Sequence, residues 1–138
     1  MVELNFVAII LATLSAFVVG ALWYGPLFGK AWMEEFNITE QDIEQENKLR
    51  VYGLSFALAF IVAFGLDFFI LGEHTGWMEG AEIGAIAGLG LLAPYTGIHY
   101  LFEGRSMRAF LINAGFNVVT LMVMGAILGW WTWAPFSF

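Results

Sequence analysis

One group of polar side chains follows helical spacing in two neighbouring segments of this sequence. Thr96, His99 and Glu103 lie three and four residues apart, and Asn113 and Asn117 follow the same step further along. Residues at such steps share one face of a helix, so two facing stripes can enclose a polar pocket. Because an imidazole changes charge near neutral pH, this pocket could relay protons or bind a small polar ligand.

A second group is acidic and surrounds the connection near residues 71–80. Its members are Asp67, Glu73, His74, Glu79 and Glu82. Carboxylate oxygens with one imidazole would suit a proton or a divalent cation. The spacing contains no compact ligand motif, however, so we favour a solvated acidic loop and expect no metal site.

Helix packing alone is the favoured interpretation of the first group. Hydrogen bonds between neighbouring membrane helices each contribute about 0.6–2 kcal/mol, and paired amides such as Asn113 and Asn117 suit this role. For His99 and Glu103 the functional and structural alternatives stay open, because a salt bridge to Arg105 would also explain them.

The elements that must position these groups are membrane-spanning helices. Of the 138 residues, 60% are hydrophobic and 12% charged, and the mean hydropathy is +0.78, well outside the range of soluble domains. About 20 helical residues cross a bilayer core, whereas barrel strands are about half as long and alternate in polarity. The sequence predicts an all-α membrane protein, a single domain over 1–138, with four antiparallel transmembrane helices near 4–24, 51–71, 81–102 and 107–131.

The basic residues predict the orientation of these helices. All five lie in the connections between spans one and two or between spans three and four: Lys30, Lys48, Arg50, Arg105 and Arg108. Because Lys and Arg in short loops stay in the cytoplasm, we expect both termini on the non-cytoplasmic side of a bacterial inner membrane. The start lacks the positive charge of a signal peptide, so we expect the first span to be retained.

The connection between spans one and two predicts a short amphipathic cytoplasmic helix. Trp32 and Phe36 form a small apolar stripe suited to the membrane surface, and Thr39 with Asp42 has the spacing of a helix cap. Pro26 is expected to end the first helix, because it lacks a backbone N–H.

Small residues at four-residue spacing predict the helix contacts. They are Ala12, Ala16 and Gly20 in span one, Gly80, Gly84 and Gly88 in span three, and Gly125 and Gly129 in span four. Since such faces let helix backbones approach closely, we expect tight packing within the bundle and also between subunits.

Several functions are disfavoured by what the sequence lacks. There is no cysteine, and the net charge of −7 disfavours nucleic acid as a partner. No phosphate-binding loop, zinc-protease motif or nucleophile elbow is present, so we expect neither an enzyme nor a cofactor.

Three stretches resemble a known family of membrane proteins. They are GALWYGPLFGKAW at 20–32, LFEGRSMRAFLINAG at 101–115 and MGAILGWW at 124–131. They are similar to the bacterial proteins of domain-of-unknown-function family 1761. The resemblance implies a small four-helix membrane protein and implies no particular chemistry.

Two functions remain as hypotheses. The first is a non-enzymatic module that sits in membrane lipid and forms a homo-oligomer, or serves as an accessory subunit of a larger membrane complex. The second is a small oligomeric transporter or channel for protons, cations or a small polar solute. We favour the first, because an apolar middle separates the two polar groups.

Overall fold

The structure, a computed structural model, describes residues 6–70 and 76–133, the last three as backbone only. Within these ranges it is helical and contains no strand. The α-helices are α1 (Phe6–Leu22), α2 (Gly29–Phe36), α3 (Glu40–Gln45), α4 (Lys48–Ile70), α5 (Trp77–Ala87), α6 (Ala93–Glu103) and α7 (Met107–Trp133). Two π-helical segments, Trp23–Leu27 and Gly88–Leu92, extend α1 and join α5 to α6.

Four helical stretches are long and apolar enough to cross a membrane, which confirms the predicted fold class. These spans are Phe6–Leu27, Lys48–Ile70, Trp77–Glu103 and Met107–Trp130. Span three begins four residues before the predicted start at Ala81. The predicted first residue of span one and last residue of span two, Leu4 and Leu71, lie outside the described residues.

Both intramembrane prolines are associated with π-helical geometry. Pro26 lies inside the segment Trp23–Leu27, so the helix ends one residue beyond the proline that was predicted to end it. The N–H of Phe28 reaches back five residues to the carbonyl of Trp23 at 2.8 Å, and this wider turn accommodates the proline. Pro94 lies two residues after the second π segment ends at Leu92, and the same widening relieves its clash with the preceding turn.

Span four is the centre of the bundle and contacts the other three spans. Its closest neighbour is α5, where glycines of both helices interlock in antiparallel register. The main apolar core lies among α1, α4 and α7 and contains Ile9, Leu66, Ile70, Met124 and Leu128. This core lies away from the basic end of the bundle, which we define as the end where all five Lys and Arg residues lie, in the two connections or in the adjoining first turns of α4 and α7.

At the basic end the polar connection forms two short helices rather than one. Asn37 adopts a left-handed conformation (φ 53°) and separates α2 from α3. Thr39 then caps α3: its hydroxyl accepts from the Asp42 N–H at 3.1 Å, and its own N–H donates to Asp42 Oδ2 at 2.9 Å. This capping box confirms the predicted cap. The hydrogen bond from the Thr39 N–H holds the pKa of the exposed Asp42 carboxyl below its usual range.

Candidate functional site: the polar cluster at the basic end

Asn113 joins three spans through its side-chain amide. The Tyr24 hydroxyl donates to Asn113 Oδ1 at 2.6 Å, and Asn113 Nδ2 donates to the Tyr100 hydroxyl at 2.5 Å. One residue earlier, the carbonyl of Ile112 accepts a hydrogen bond from Trp23 Nε1 at 2.9 Å. The ends of spans one and three are thereby fixed to the beginning of span four.

Aromatic rings enclose this amide. Tyr24 packs edge-on against Trp32 of α2 and against Phe116 of span four, with ring centroids 5.2 and 5.0 Å apart. A Cβ at Gly115 would lie 3.0 Å from the Trp23 ring, so the glycine allows the indole to approach span four. The cluster is a set of half-buried polar groups satisfied by one another, which is the arrangement that stabilises helix contacts in lipid.

The helix α2 docks onto the connection between spans three and four. Glu35 accepts from the Ser106 hydroxyl at 2.5 Å and from Arg108 Nη1 at 3.3 Å. The guanidinium of Arg105 lies 4.5 Å from the centre of the Phe36 ring, within cation–π range.

The apolar stripe of α2 therefore faces the protein. Trp32 contacts Tyr24, and Phe36 lies 6.3 Å from Tyr100 between ring centres. The expectation that this stripe lies on the membrane surface is wrong, because the bundle itself offers aromatic partners at the same level.

The predicted polar pocket is assembled only in part. Thr96 and Asn117 are half-buried, whereas His99 and Glu103 are exposed. The face of α6 that meets span four includes Tyr100, and a neighbouring residue in sequence points about 100° away around the helix. His99 is therefore turned away from Asn113, contrary to the expectation that both stripes face inward.

The predicted salt bridge between Glu103 and Arg105 is confirmed. Its carboxylate forms a salt bridge with Arg105 Nε at 2.9 Å. Both side chains are partly exposed, so this pair contributes little to the stability of the protein.

The described members of the predicted acidic group lie in different environments. Asp67 is 3% exposed and lies inside the bundle, whereas Glu79 and Glu82 are exposed. Glu73 and His74 lie outside the described residues. Among the residues that are described, no three acidic or histidine side chains come together in a way that could hold a metal ion.

The glycine and alanine stripes lie at helix contacts within the chain. Gly80, Gly84 and Gly88 face span four, Gly125 and Gly129 face span three, and Gly20 lies beside Phe116. Ala12 is fully buried and Ala16 packs against the apolar core.

Two tyrosines of the cluster were not predicted as site residues. These are Tyr24 and Tyr100. The signal that could have found Tyr100 is its position four residues after Thr96, which places it on the same helical stripe.

Four apolar spans and an internally satisfied polar cluster define a multi-pass helical membrane protein. The chain belongs to the family described as "Protein of unknown function (DUF1761)", whose family model matches residues 7–129. No curated protein and no solved structure matches the chain significantly.

Proposed function

We propose that this protein is a non-enzymatic membrane module that acts by self-association, through the outer face of α6 formed by Tyr95, His99 and Phe102. The observation that carries the proposal is the exposure of hydrogen-bonding side chains on a membrane-spanning helix. Tyr95 is 65% exposed and Phe102 90% exposed, and His99 is exposed between them.

The depth of these side chains makes their exposure costly in lipid. At 1.5 Å per helical residue, His99 and Tyr95 lie about 6 and 12 Å inside the end of span three at Glu103. Polar groups at such depth usually face protein or a water-filled space. A neighbouring helix that covers this face would relieve the cost of exposing them to hydrocarbon.

A second copy of the chain provides the matching chemistry. A tyrosine hydroxyl donates a hydrogen bond and a neutral imidazole both donates and accepts, so Tyr95 and His99 can pair with their equivalents. Two copies related by a two-fold axis along the membrane normal present the same residues to each other at the same depth.

The glycine stripes contribute to this proposal by elimination. Since Gly80, Gly84 and Gly88 already contact span four of the same chain, they are not free to contact a second chain. Self-association then depends on another surface, and the outer face of α6 carries two exposed hydrogen-bonding side chains, Tyr95 and His99, one helical turn apart.

The transport alternative has weaker support. The buried polar side chains of the described core are Thr13, Asp67 and Thr120, and apolar side chains such as Leu121 and Met124 lie among them. A solute or ion would need a continuous polar route between them.

We also propose that the basic end faces the cytoplasm of a bacterial inner membrane, with both termini on the other side. The support is the location of all five cations at one end. Tags at the two termini and between spans two and three should be accessible from the non-cytoplasmic side of the membrane. A cytoplasmic location of the tag between spans two and three would contradict this orientation.

The self-association is tested by the distribution of oligomers in lipid nanodiscs or by single-molecule photobleaching in vesicles. The variant Tyr95→Phe/His99→Leu removes the hydrogen-bonding groups from the outer face of α6 and keeps its shape. We expect the dimer dissociation constant to rise about tenfold or more, as for the loss of one or two interhelical hydrogen bonds.

Leu54→Ala is the matched control, because Leu54 is exposed on span two and away from this face. It should leave the dimer fraction unchanged. A wild-type protein that is monomeric at all lipid dilutions, or a double variant with unaltered dimerisation, would contradict the proposal.

A further inference from the structure

Asp67 is a buried carboxyl group within a membrane span. It is 3% exposed, and its Oδ2 atom has no hydrogen-bond partner. Ala63 and Ile70, which share its face of α4, belong to the apolar core formed with α1 and α7. The carboxyl therefore lies against the contact between span two and the rest of the bundle.

The described helices around Asp67 offer no positive charge. The part of α1 from Phe6 to Leu22 contains no titratable residue, and the single charged residue of α7 is Arg108 in its first turn at the basic end. On α5 the charged groups are Glu79 and Glu82, both exposed.

The charges of α4 itself are equally remote. Lys48, Arg50 and the phenol of Tyr52 lie at the opposite end of the helix, and Arg50 is 17 residues, or about 25 Å, away along the axis. A charged carboxylate at Asp67 would thus be unpaired, and a buried unpaired charge is strongly destabilising.

We propose that Asp67 is a proton-binding site that stays neutral while span two packs against α1 and α7, and ionises only when this contact opens to water. Proton release and the separation of span two are then two parts of one equilibrium. The ligand is the proton itself, and no other cofactor is required. The site is independent of the proposed self-association. Asp67 lies in α4, away from the basic end of the bundle, whereas the outer face of α6 lies near the basic end.

The proton on Asp67 can be observed directly because the chain contains only two aspartates, Asp42 and Asp67. The exposed Asp42 is ionised at neutral pH, since its pKa is held low. In full-length protein labelled with side-chain ¹³C-aspartate and placed in phosphatidylcholine vesicles, any isotope-shifted carboxylic-acid band in the infrared spectrum at neutral pH must come from Asp67.

We expect this band in the wild type and in the matched control Asp42→Asn, and expect its loss in Asp67→Asn. The wild-type measurement needs no substitution, so it stays decisive even if Asp67→Asn folds poorly. A wild-type spectrum that contains only ionised aspartate bands at neutral pH would overturn the proposal.

The coupling to helix separation has a separate test. The chain has no native cysteine, so Ala63→Cys places a single thiol at the fully buried contact of span two. Alkaline pH accelerates maleimide labelling of any thiol, and the double variant Ala63→Cys/Asp67→Asn corrects for this effect. We expect the ratio of the two labelling rates to rise with pH. A constant ratio would overturn the coupling.

Discussion

Gly80 and Gly125 lie so close together that a Cβ on either residue would overlap the carbonyl oxygen of the other. A Cβ on Gly84 would likewise overlap the carbonyl oxygen of Leu121, one turn further along the antiparallel pair. The partner atoms are backbone, so they cannot rotate away as a side chain would. The backbones of spans three and four are therefore in direct contact, with no room for a side chain between them at these positions.

Substituting alanine for Gly84 should force these two helices apart. We expect Gly84→Ala to lower the free energy of unfolding by about 1–3 kcal/mol, as for other overpacked contacts. Thermal or steric-trap unfolding in mild detergent measures this change.

Gly90→Ala is the matched control in the same span, since a Cβ there would meet nothing within 4 Å. It should be neutral or slightly stabilising, because alanine favours helix over glycine. Equal stability of Gly84→Ala and Gly90→Ala would show that the close contact is absent.

Removing either hydroxyl partner of Asn113 should weaken the bundle. We expect Tyr24→Phe and Tyr100→Phe each to cost about 0.6–2 kcal/mol. The costs should be non-additive when combined with Asn113→Leu, since all three residues belong to one network. Tyr52→Phe controls for the loss of an exposed phenol outside this network, and purely additive effects would argue against the network.

Releasing α2 should leave the bundle folded. The double variant Glu34→Gln/Glu35→Gln removes both carboxylates that pair with Arg108, at 3.5 and 3.3 Å, and exposed pairs of this kind contribute about 0–1 kcal/mol. We expect faster hydrogen exchange in Gly29–Phe36 with little change in the unfolding temperature. Glu44→Gln is the control on exposed α3. Unchanged exchange in α2 would mean that these ion pairs do not hold this helix.

The short helix α3 should depend on pH through Asp42. Because the folded-state pKa of this carboxyl is lowered, its contribution to stability is complete above the ordinary value of about 3.9 and is lost as the pH falls through the lowered value. We expect the protection of the Asp42 and Ile43 amides, measured relative to their intrinsic exchange rate at each pH, to fall in that range. Asp42→Asn should abolish this change in protection, and a protection that stays constant with pH in the wild type would contradict the cap.

The four spans and the cap of α3 could be predicted because they depend on local sequence. Runs of apolar residues set the helix lengths, and Thr39 with Asp42 satisfies the first N–H groups of α3 whatever surrounds it. The π segments were missed because apolar composition does not distinguish an α turn from a π turn. Pro26 indicates only that one backbone N–H hydrogen bond is missing, and it does not indicate which helical geometry surrounds it.

The site was harder to predict because spacing on one helix does not fix which way the helix faces. Thr96 and His99 share a broad stripe of α6, yet the contact with span four leaves Thr96 half-buried and His99 exposed. Asp67 was grouped with loop carboxylates by its position near the end of a span. Its burial depends on how α4 packs against α1 and α7, which is a property of the tertiary structure.

The central proposal, self-association through the outer face of α6, is tested most directly by cysteine cross-linking in native membranes. Phe102→Cys introduces a single thiol on that face and keeps Tyr95 and His99, whereas Leu49→Cys places an equally exposed thiol at a comparable depth on span two. Oxidation should yield disulfide-linked dimers of Phe102→Cys and leave Leu49→Cys monomeric. Dimers from both variants or from neither would contradict the proposal.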